Sequence, residues 1–360
     1  MVQERWAKTA YALEHGGLTA ARLRDFGSQL VNGLAFIHSK NIIHRDLKCG
    51  NVLVAKGASG RLLLKISDLG ISKDVPEGAD APSGPHTNIG TPRYKAPEVH
   101  GSARPAYSGR ADIYSLGLVL ADVASQELWH VRLGKQEMMH DHRTMPCMQC
   151  LDDAVRATAT ASPHLAVLAD GMLRIPTGER MELAAAANVC ASEPSPLCDH
   201  VSAAEALLRQ VPLPPPPSCI SAVQTLSRLS VAAGMEELAV SCLAQLQRTN
   251  SRADPDTLTA VVQALSSLAV QKTELTRHAA WLPAVLDVAA NKRVAEDVRI
   301  IAVNTLDVLT WDEAESMEVL LPSTGEEMGV MSAALLLTKL RHDPFSRVSV
   351  AADRVMKCWQ

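Results

Sequence analysis

Aromatic side chains are scarce: phenylalanine, tyrosine and tryptophan make up 3% of 360 residues, so alanine and leucine carry most of the apolar burial, a bias toward helices. No apolar run reaches the ~18 residues needed to cross a bilayer, so no membrane-spanning helix is expected. No long run of one charge sign occurs and the formal net charge is -4, which argues against a nucleic-acid partner or an anionic membrane surface. The opening stretch, "MVQERWAKTAYALEHGG", carries Glu4, Arg5 and Lys8 where a secretory signal needs an apolar core. The chain reads as cytoplasmic. Its eight cysteines are too dilute for a disulfide framework, and that compartment keeps thiols reduced. One cluster, His140, His142, Cys147 and Cys150 in "HDHRTMPCMQC", has the residue types of a zinc site. It is read instead as loop histidines and half-buried thiols, and no metal is assigned there.

The composition that remains, 47% hydrophobic and 21% charged, is that of a soluble globular protein, and the length suits two domains of ordinary size. The stretch "VPLPPPPSC", residues 211–219, reads as an extended polyproline II spacer, because consecutive prolines donate no backbone hydrogen bonds. The expected organisation is a first domain over 1–203, a proline-rich linker over 204–219 and an α-helical second domain over 220–360. In that last part a phrase recurs: "AVQTLSRLS" at 222, "VVQALSSLA" at 261 and "AVNTLDVLT" at 302, with starts 39 and 41 residues apart. Each copy sets apolar groups at helical spacing: Val223, Leu226 and Leu229; Val262, Leu265 and Leu268; Val303, Leu306 and Leu309. This predicts one helix per repeat, packed on its neighbours. The period resembles armadillo or HEAT units, and the resemblance implies a surface for a protein partner.

Ahead of the prolines the pattern is mixed, and the fold class expected overall is mainly α with a small β component. Leu23, Phe26, Leu30, Leu34 and Ile37 recur every three or four positions and predict a helix ending near "HSKN". Two short runs, "NVLV" and "RLLLKIS", flank the turn-rich "AKGASG" and predict a pair of strands. Further on, Ile113, Leu116, Leu120 and Val123 mark a strongly apolar helix at the domain's centre.

Between the first helix and the strands lies "IIHRDLKCGNVLV", residues 42–54, with a concentration of polar groups that no structural loop requires. Phosphoryl transfer needs an oriented hydroxyl, metal ions on the phosphate oxygens and donors where charge develops. Asp46 can take or orient a hydroxyl proton, Lys48 can offset charge on the transferring group, and Asn51 can hold a metal through its amide oxygen.

"HRDLKCGN" resembles the catalytic loop of eukaryotic protein kinases, and other strings follow that family in order. Seventeen residues after Asn51 comes "SDLG", similar to the family's Asp-Phe-Gly, with Asp68 in the magnesium-binding position, Leu69 in place of phenylalanine, and Gly70 closing the motif. "GTPRYKAPE", residues 90–98, resembles the end of an activation segment, with Thr91 facing the catalytic loop and Glu98 expected to pair with Arg180 of "RIPTGERM". "ADIYSLG" is similar to the central helix that anchors the catalytic loop through an aspartate, here Asp112. The resemblance implies a protein-kinase C-lobe using ATP and Mg2+ on protein substrates, and Lys48 two residues after Asp46 is the choice of serine/threonine kinases. His44 would pack beneath the loop, Arg45 would pair with a phosphate on the activation segment, Ser83 and Thr87 lie where that phosphate would be carried, and Cys49 is a bystander.

The resemblance covers roughly residues 1–200, from a hinge-like start through the lower lobe. No glycine-rich loop, strand lysine or helical glutamate of an upper lobe is found ahead of it. The expectation is a serine/threonine kinase whose sequence is truncated at its N-terminus, with little turnover of its own. The alternative is a catalytically inactive, kinase-like scaffold or protein-binding module.

Overall fold

The structure, a computed structural model, describes residues 19–56, 61–70, 73–74, 90–99, 107–125, 148–193, 195–210, 212–250, 254–271, 281–292, 294–309, 318–321, 329–344 and 346–358. Ser83, Thr87, His140, His142 and Cys147 lie outside those residues. The chain divides into two compact units, 1–200 and 201–360.

The first unit begins with helix α1, Ala20–His38, capped by the Thr19 hydroxyl, which accepts from the Arg22 N–H at 3.3 Å. Its buried stripe is the one the spacing predicts: Leu23, Phe26, Leu30, Leu34 and Ile37. That stripe packs on helix α5 (Leu183–Ala191) and on strand β3 (Leu62–Ile66). Strand β2, Val52–Lys56, pairs antiparallel with β3 in a register running from Val52 opposite Ile66 to Lys56 opposite Leu62. Gln29 of α1 pins the free edge of β3: its amide donates to the Leu62 carbonyl at 3.1 Å and accepts the Leu64 N–H at 2.8 Å. A two-residue strand β1, Ile42–Ile43, pairs with β4, Lys73–Asp74, just before the loop that carries Asp46.

Helix α2, Gly109–Ser125, is buried at every position from Ala111 to Ala124. A helix without a polar face belongs inside a core. Its coat comes from α1, α3 (Met148–Ala161) and α4 (Pro163–Met172). Gly117 permits the closest approach: a Cβ there would stand 2.9 Å from Leu173 Cδ2 and 3.0 Å from Met172 Cβ. Two carboxylates ride on this helix into the interior, Asp112 at 1% and Asp122 at 4% exposure.

The second unit is helical, with helices in two rows. Helices α7 (Pro216–Leu229), α9 (Pro255–Gln271), α11 (Glu296–Thr305) and α13 (Ser346–Cys358) pack successively on one another. Alongside them α8 (Glu236–Asn250), α10 (Trp281–Ala290) and α12 (Ala333–Leu340) form the second row. All nine apolar positions of the recurring phrase are buried, on α7, on α9, and on α11 with the turn that ends it. The expectation of one helix per repeat is corrected to two, since 39 to 41 residues accommodate a pair of helices and their turns.

Two further expectations change. The second domain is not all-α: strands β5 (Glu318–Leu321) and β6 (Gly329–Ser332) form an antiparallel hairpin. The proline tract is not a spacer throughout, because Pro216 and Pro217 form the first turn of α7, where a missing N–H costs nothing and the fixed φ is already helical. Residues 204–208, expected in the linker, close helix α6 (Leu197–Leu208).

A fully buried ion pair joins Arg299 of α11 to Asp343, with Nη2 to Oδ2 at 2.6 Å and side-chain exposures of 0% and 1%. Removing one member leaves an uncompensated buried charge, so Asp343→Ala is expected to destabilise the second unit by about 3 to 5 kcal/mol in chemical denaturation. The double replacement Arg299→Met with Asp343→Leu is expected to lose distinctly less.

Candidate active site

The loop from His44 to Asn51 is shaped from beneath by Asp112 at the start of α2. One oxygen accepts the His44 N–H at 2.8 Å, and the other accepts the Arg45 N–H at 2.9 Å. His38, at the end of α1, reaches the first oxygen through Nε2 at 2.9 Å. These bonds hold Arg45 at φ 69, in the left-handed region, at a cost of roughly 1 to 2 kcal/mol for a residue with a Cβ. The His44 ring, fully buried, donates from Nε2 to the Ser67 carbonyl at 3.0 Å, which fixes Nδ1 as the acceptor for the Asp46 N–H at 3.3 Å. Histidine thus ties the loop to the far end of β3.

Above this base stands Asp46. Its Oδ2 accepts from Lys48 Nζ at 2.5 Å and from Asn51 Nδ2 at 3.2 Å; its Oδ1 accepts from the Thr91 N–H at 2.8 Å and the Thr91 hydroxyl at 2.6 Å. Lys48 Nζ also donates to the Thr91 hydroxyl at 2.8 Å, closing a ring of three side chains. Burial pushes the Asp46 carboxyl up, but the hydrogen bonds from Lys48 and Thr91 and the lysine's charge outweigh it and hold the group below the usual carboxylate range.

Asn51 is 5% exposed and oriented by its amide nitrogen, which also donates to the Asp46 carbonyl at 2.7 Å. Its own carbonyl accepts both the N–H and the hydroxyl of Ser67, at 2.8 and 2.9 Å. The hairpin register therefore sets Asp68 next to the residue that bonds Asn51, and Asp68, at φ 67, is exposed. Gly70 follows within reach of it: a Cβ at 70 would lie 3.2 Å from Asp68 Oδ1. Leu69 is 45% exposed. Among the described residues no three His, Cys, Asp or Glu side chains converge as a metal cage.

Residues 90–99 approach the loop from the other side. Gly90 has φ +97, and a Cβ on it would lie 2.5 Å from the Arg45 carbonyl oxygen, so only glycine fits. At the far end Glu98 forms a two-pronged pair with Arg180, at 2.6 and 2.7 Å. Arg180, 2% exposed, donates further to the carbonyls of Arg174 and Arg110 and faces the Tyr114 ring. Tyr94, between these ends, donates to Asp122 at 2.9 Å, and the same carboxylate oxygen takes the Cys49 thiol at 3.7 Å. Burial, reinforced by the Asp122 charge, raises the Cys49 thiol well above its usual value, which makes it an unreactive sulfur. Arg45 stacks over Tyr107 at 5.1 Å, and burial lowers its guanidinium despite opposing pulls from Tyr107 and Asp112.

His38, Gly90, Tyr94 and Asp122 were not singled out from sequence. Gly90 and Tyr94 lie in the quoted motif of residues 90–98, but Tyr94, like His38 and Asp122, acts through contacts far apart along the chain. Cys150, from the zinc-like cluster, is buried in α3.

Residues 1–191 match the family model described as protein kinase domain. Similar curated proteins include the probable serine/threonine-protein kinase zyg-1 of Caenorhabditis elegans, 36% identical over 31% of this chain and 15% of its own length. Mitogen-activated protein kinase kinase 7 of Arabidopsis thaliana is 31% identical over 46% of this chain and 51% of its own length. Serine/threonine-protein kinase nekl-2 of Caenorhabditis elegans is 31% identical over 42% and 43% respectively. The chain thus spans about half or less of each of these relatives.

Thr91→Val deletes one hydroxyl donor to Asp46 and keeps the backbone one. The Asp46 midpoint is expected to rise toward the ordinary aspartate range, read from its carboxyl carbon shift in an NMR titration. Because the folded value lies below the unfolded one, the carboxylate's contribution to stability is full above the unfolded value and disappears as pH falls through the folded one. The variant should lose part of that contribution; an unmoved midpoint would remove Thr91 from the account.

Proposed function

The chain belongs to the protein kinase domain family, and from that premise we propose that it is a serine/threonine kinase, moving the γ-phosphoryl group of ATP to protein serine and threonine hydroxyls. The observation that carries the reading is the Asp46 carboxylate, ionised, held by Lys48, Thr91 and Asn51, and joined through Asn51 to Ser67, the neighbour of Asp68. The relatives that are serine/threonine kinases by name support the choice of serine and threonine, as does Lys48 two residues past Asp46.

The donor set suits a magnesium nucleotide. Asn51 uses its amide nitrogen on Asp46, leaving the amide oxygen as its remaining acceptor, and Asp68 nearby is an exposed carboxylate. A few hard oxygen donors suit magnesium, which keeps waters and phosphate oxygens in its shell. When bound, ATP with magnesium supplies the transferable group and the cation that offsets its charge. Asp46 orients the acceptor hydroxyl and takes its proton. Lys48, within 2.8 Å of Thr91, sets a positive charge where negative charge develops. Thr91 holds the acceptor-side segment against the base.

We further propose that the helical rows of the second unit present a protein-binding surface, a reading supported by their extended packing of like on like.

Asp46→Asn should lower phosphorylation of a serine-containing protein by about a thousandfold, within the range for losing a general base. Asp68→Ala should abolish magnesium-dependent ATP binding in calorimetry while leaving the denaturation midpoint in place. Unchanged turnover in the first variant would sink the reading.

A further inference from the structure

Helices α11 and α13 of the second unit leave a groove along their seam, lined by Ile300 and Asn304 from one and by Arg347, Val350, Ala351 and Arg354 from the other. Its volume is about 340 Å³, within the range of ligand sites. The two helices run in the same direction there. Arg347 pairs with Asp297 at 2.8 Å, and seven residues further along both helices Arg354 Nη2 donates to the Asn304 amide oxygen at 2.8 Å. Helix α13 buries Val348, Ala351, Ala352 and Val355, so it has a well-defined inner face. Val350 lies off that face and is 69% exposed, more than any other large apolar side chain among the described residues.

The charge in the groove is of one sign, since both ionisable residues of its lining are arginines. Arg354 is bonded to a neutral amide, which offsets none of its charge. Arg347 and Asp297 are 64% and 74% exposed, a surface pair in which an incoming carboxylate can share the guanidinium. Nearby, Arg341 and Lys357 both lean on one carboxylate, Asp353, at 2.9 and 2.6 Å. Two exposed carboxylates, Asp297 and Asp307, stand outside the lining, three residues before Ile300 and three after Asn304. A short acidic stretch is therefore attracted, while a long acidic run meets like charge beyond the lining. Spacing adds a further constraint. Arg347 and Arg354 are seven residues apart, about 10 Å along the helix at 1.5 Å per residue. A segment in polyproline II conformation repeats every three residues and rises about 3.1 Å per residue, so side chains three apart share one side about 9 Å from each other.

We propose that this groove docks a short extended segment of a partner protein, with two aspartates or glutamates three residues apart and an aliphatic side chain between them. The carboxylates meet Arg347 and Arg354, and the aliphatic group covers Val350 and Ile300. The proposal deepens the protein-binding reading of the second unit and rests on it; it is independent of the kinase reading. It accounts for a bare valine set between two arginines on a helix whose other side is fully packed.

Three fluorescein-labelled peptides of one length test it by anisotropy with the full chain. The first carries two glutamates three apart with a leucine between, the second the same residues with the glutamates adjacent, and the third glutamines in place of the glutamates. The first should bind about tenfold tighter than the other two. Arg354→Glu should level the series, Val350→Asp should weaken the first peptide alone, and Arg354→Lys should keep the preference. All of these side chains are exposed, so the variants should retain the parent's denaturation midpoint. Equal affinities for the three peptides, or a preference that survives Arg354→Glu, would overturn the proposal. Selection from a random-peptide display library on the immobilised full chain separates the groove from the wider reading. Binders that protect the second unit in hydrogen exchange, lack the acidic spacing and ignore Arg354→Glu speak against the groove alone; recovery of no binder to that unit speaks against both.

Discussion

A single buried carboxylate organises the first unit. Asp112 sits at the start of a helix with no polar face, and an unpaired charge in that interior would cost several kcal/mol. Its two oxygens are satisfied by the backbone of His44 and Arg45 and by the ring of His38. The dependence runs in both directions. The helix tolerates the charge because the loop supplies donors, and the loop keeps an otherwise unfavourable left-handed residue because the carboxylate holds it there. The position of the loop from His44 to Asn51 is thus inherited from core packing.

What stands on this base is a network with few spare bonds. Asp46 receives donors from its own loop and from the segment after Gly90, so two stretches more than forty residues apart share one carboxylate. Gly90 lets those stretches touch, Tyr94 and Ser115 tie the segment's middle to the central helix, and the pair of Glu98 with Arg180 anchors its end. Each attachment reaches a different part of the core. The segment is consequently located by several weak constraints whose common result is the placement of Thr91 against Asp46.

Much of this was legible in the sequence because the candidate site residues are close together in it. His44, Arg45, Asp46, Lys48 and Asn51 fall within eight residues, and the strand runs after them reveal how Asp68 comes back beside Asn51. Helical spacing likewise foretold the buried stripes of α1, α7 and α9, since period alone decides which side faces inward. Of the contacts that join distant positions, the resemblance supplied the pair of Glu98 with Arg180 and the anchoring by Asp112, and others were not legible. His38 meets a partner 74 residues away and Tyr94 one 28 residues away, and neither residue type announces its partner. Strands β5 and β6 are four residues each, too short for alternation to be told from a helical turn, and the prolines opening α7 carry the same composition as a spacer.

The unbroken burial of α2 also bears on how the unit is made. When Ser125 has been synthesised, α1, the loop at His44 and the turn at Tyr94 are available to that helix; α3 and α4, which also pack on it, are encoded between residues 148 and 172. A nascent chain must therefore hold a mainly apolar helix, with two carboxylates on it, while part of its native coat is still to be made. The addition of some fifty downstream residues is thus a condition of the final support that this helix gives the loop from His44 to Asn51.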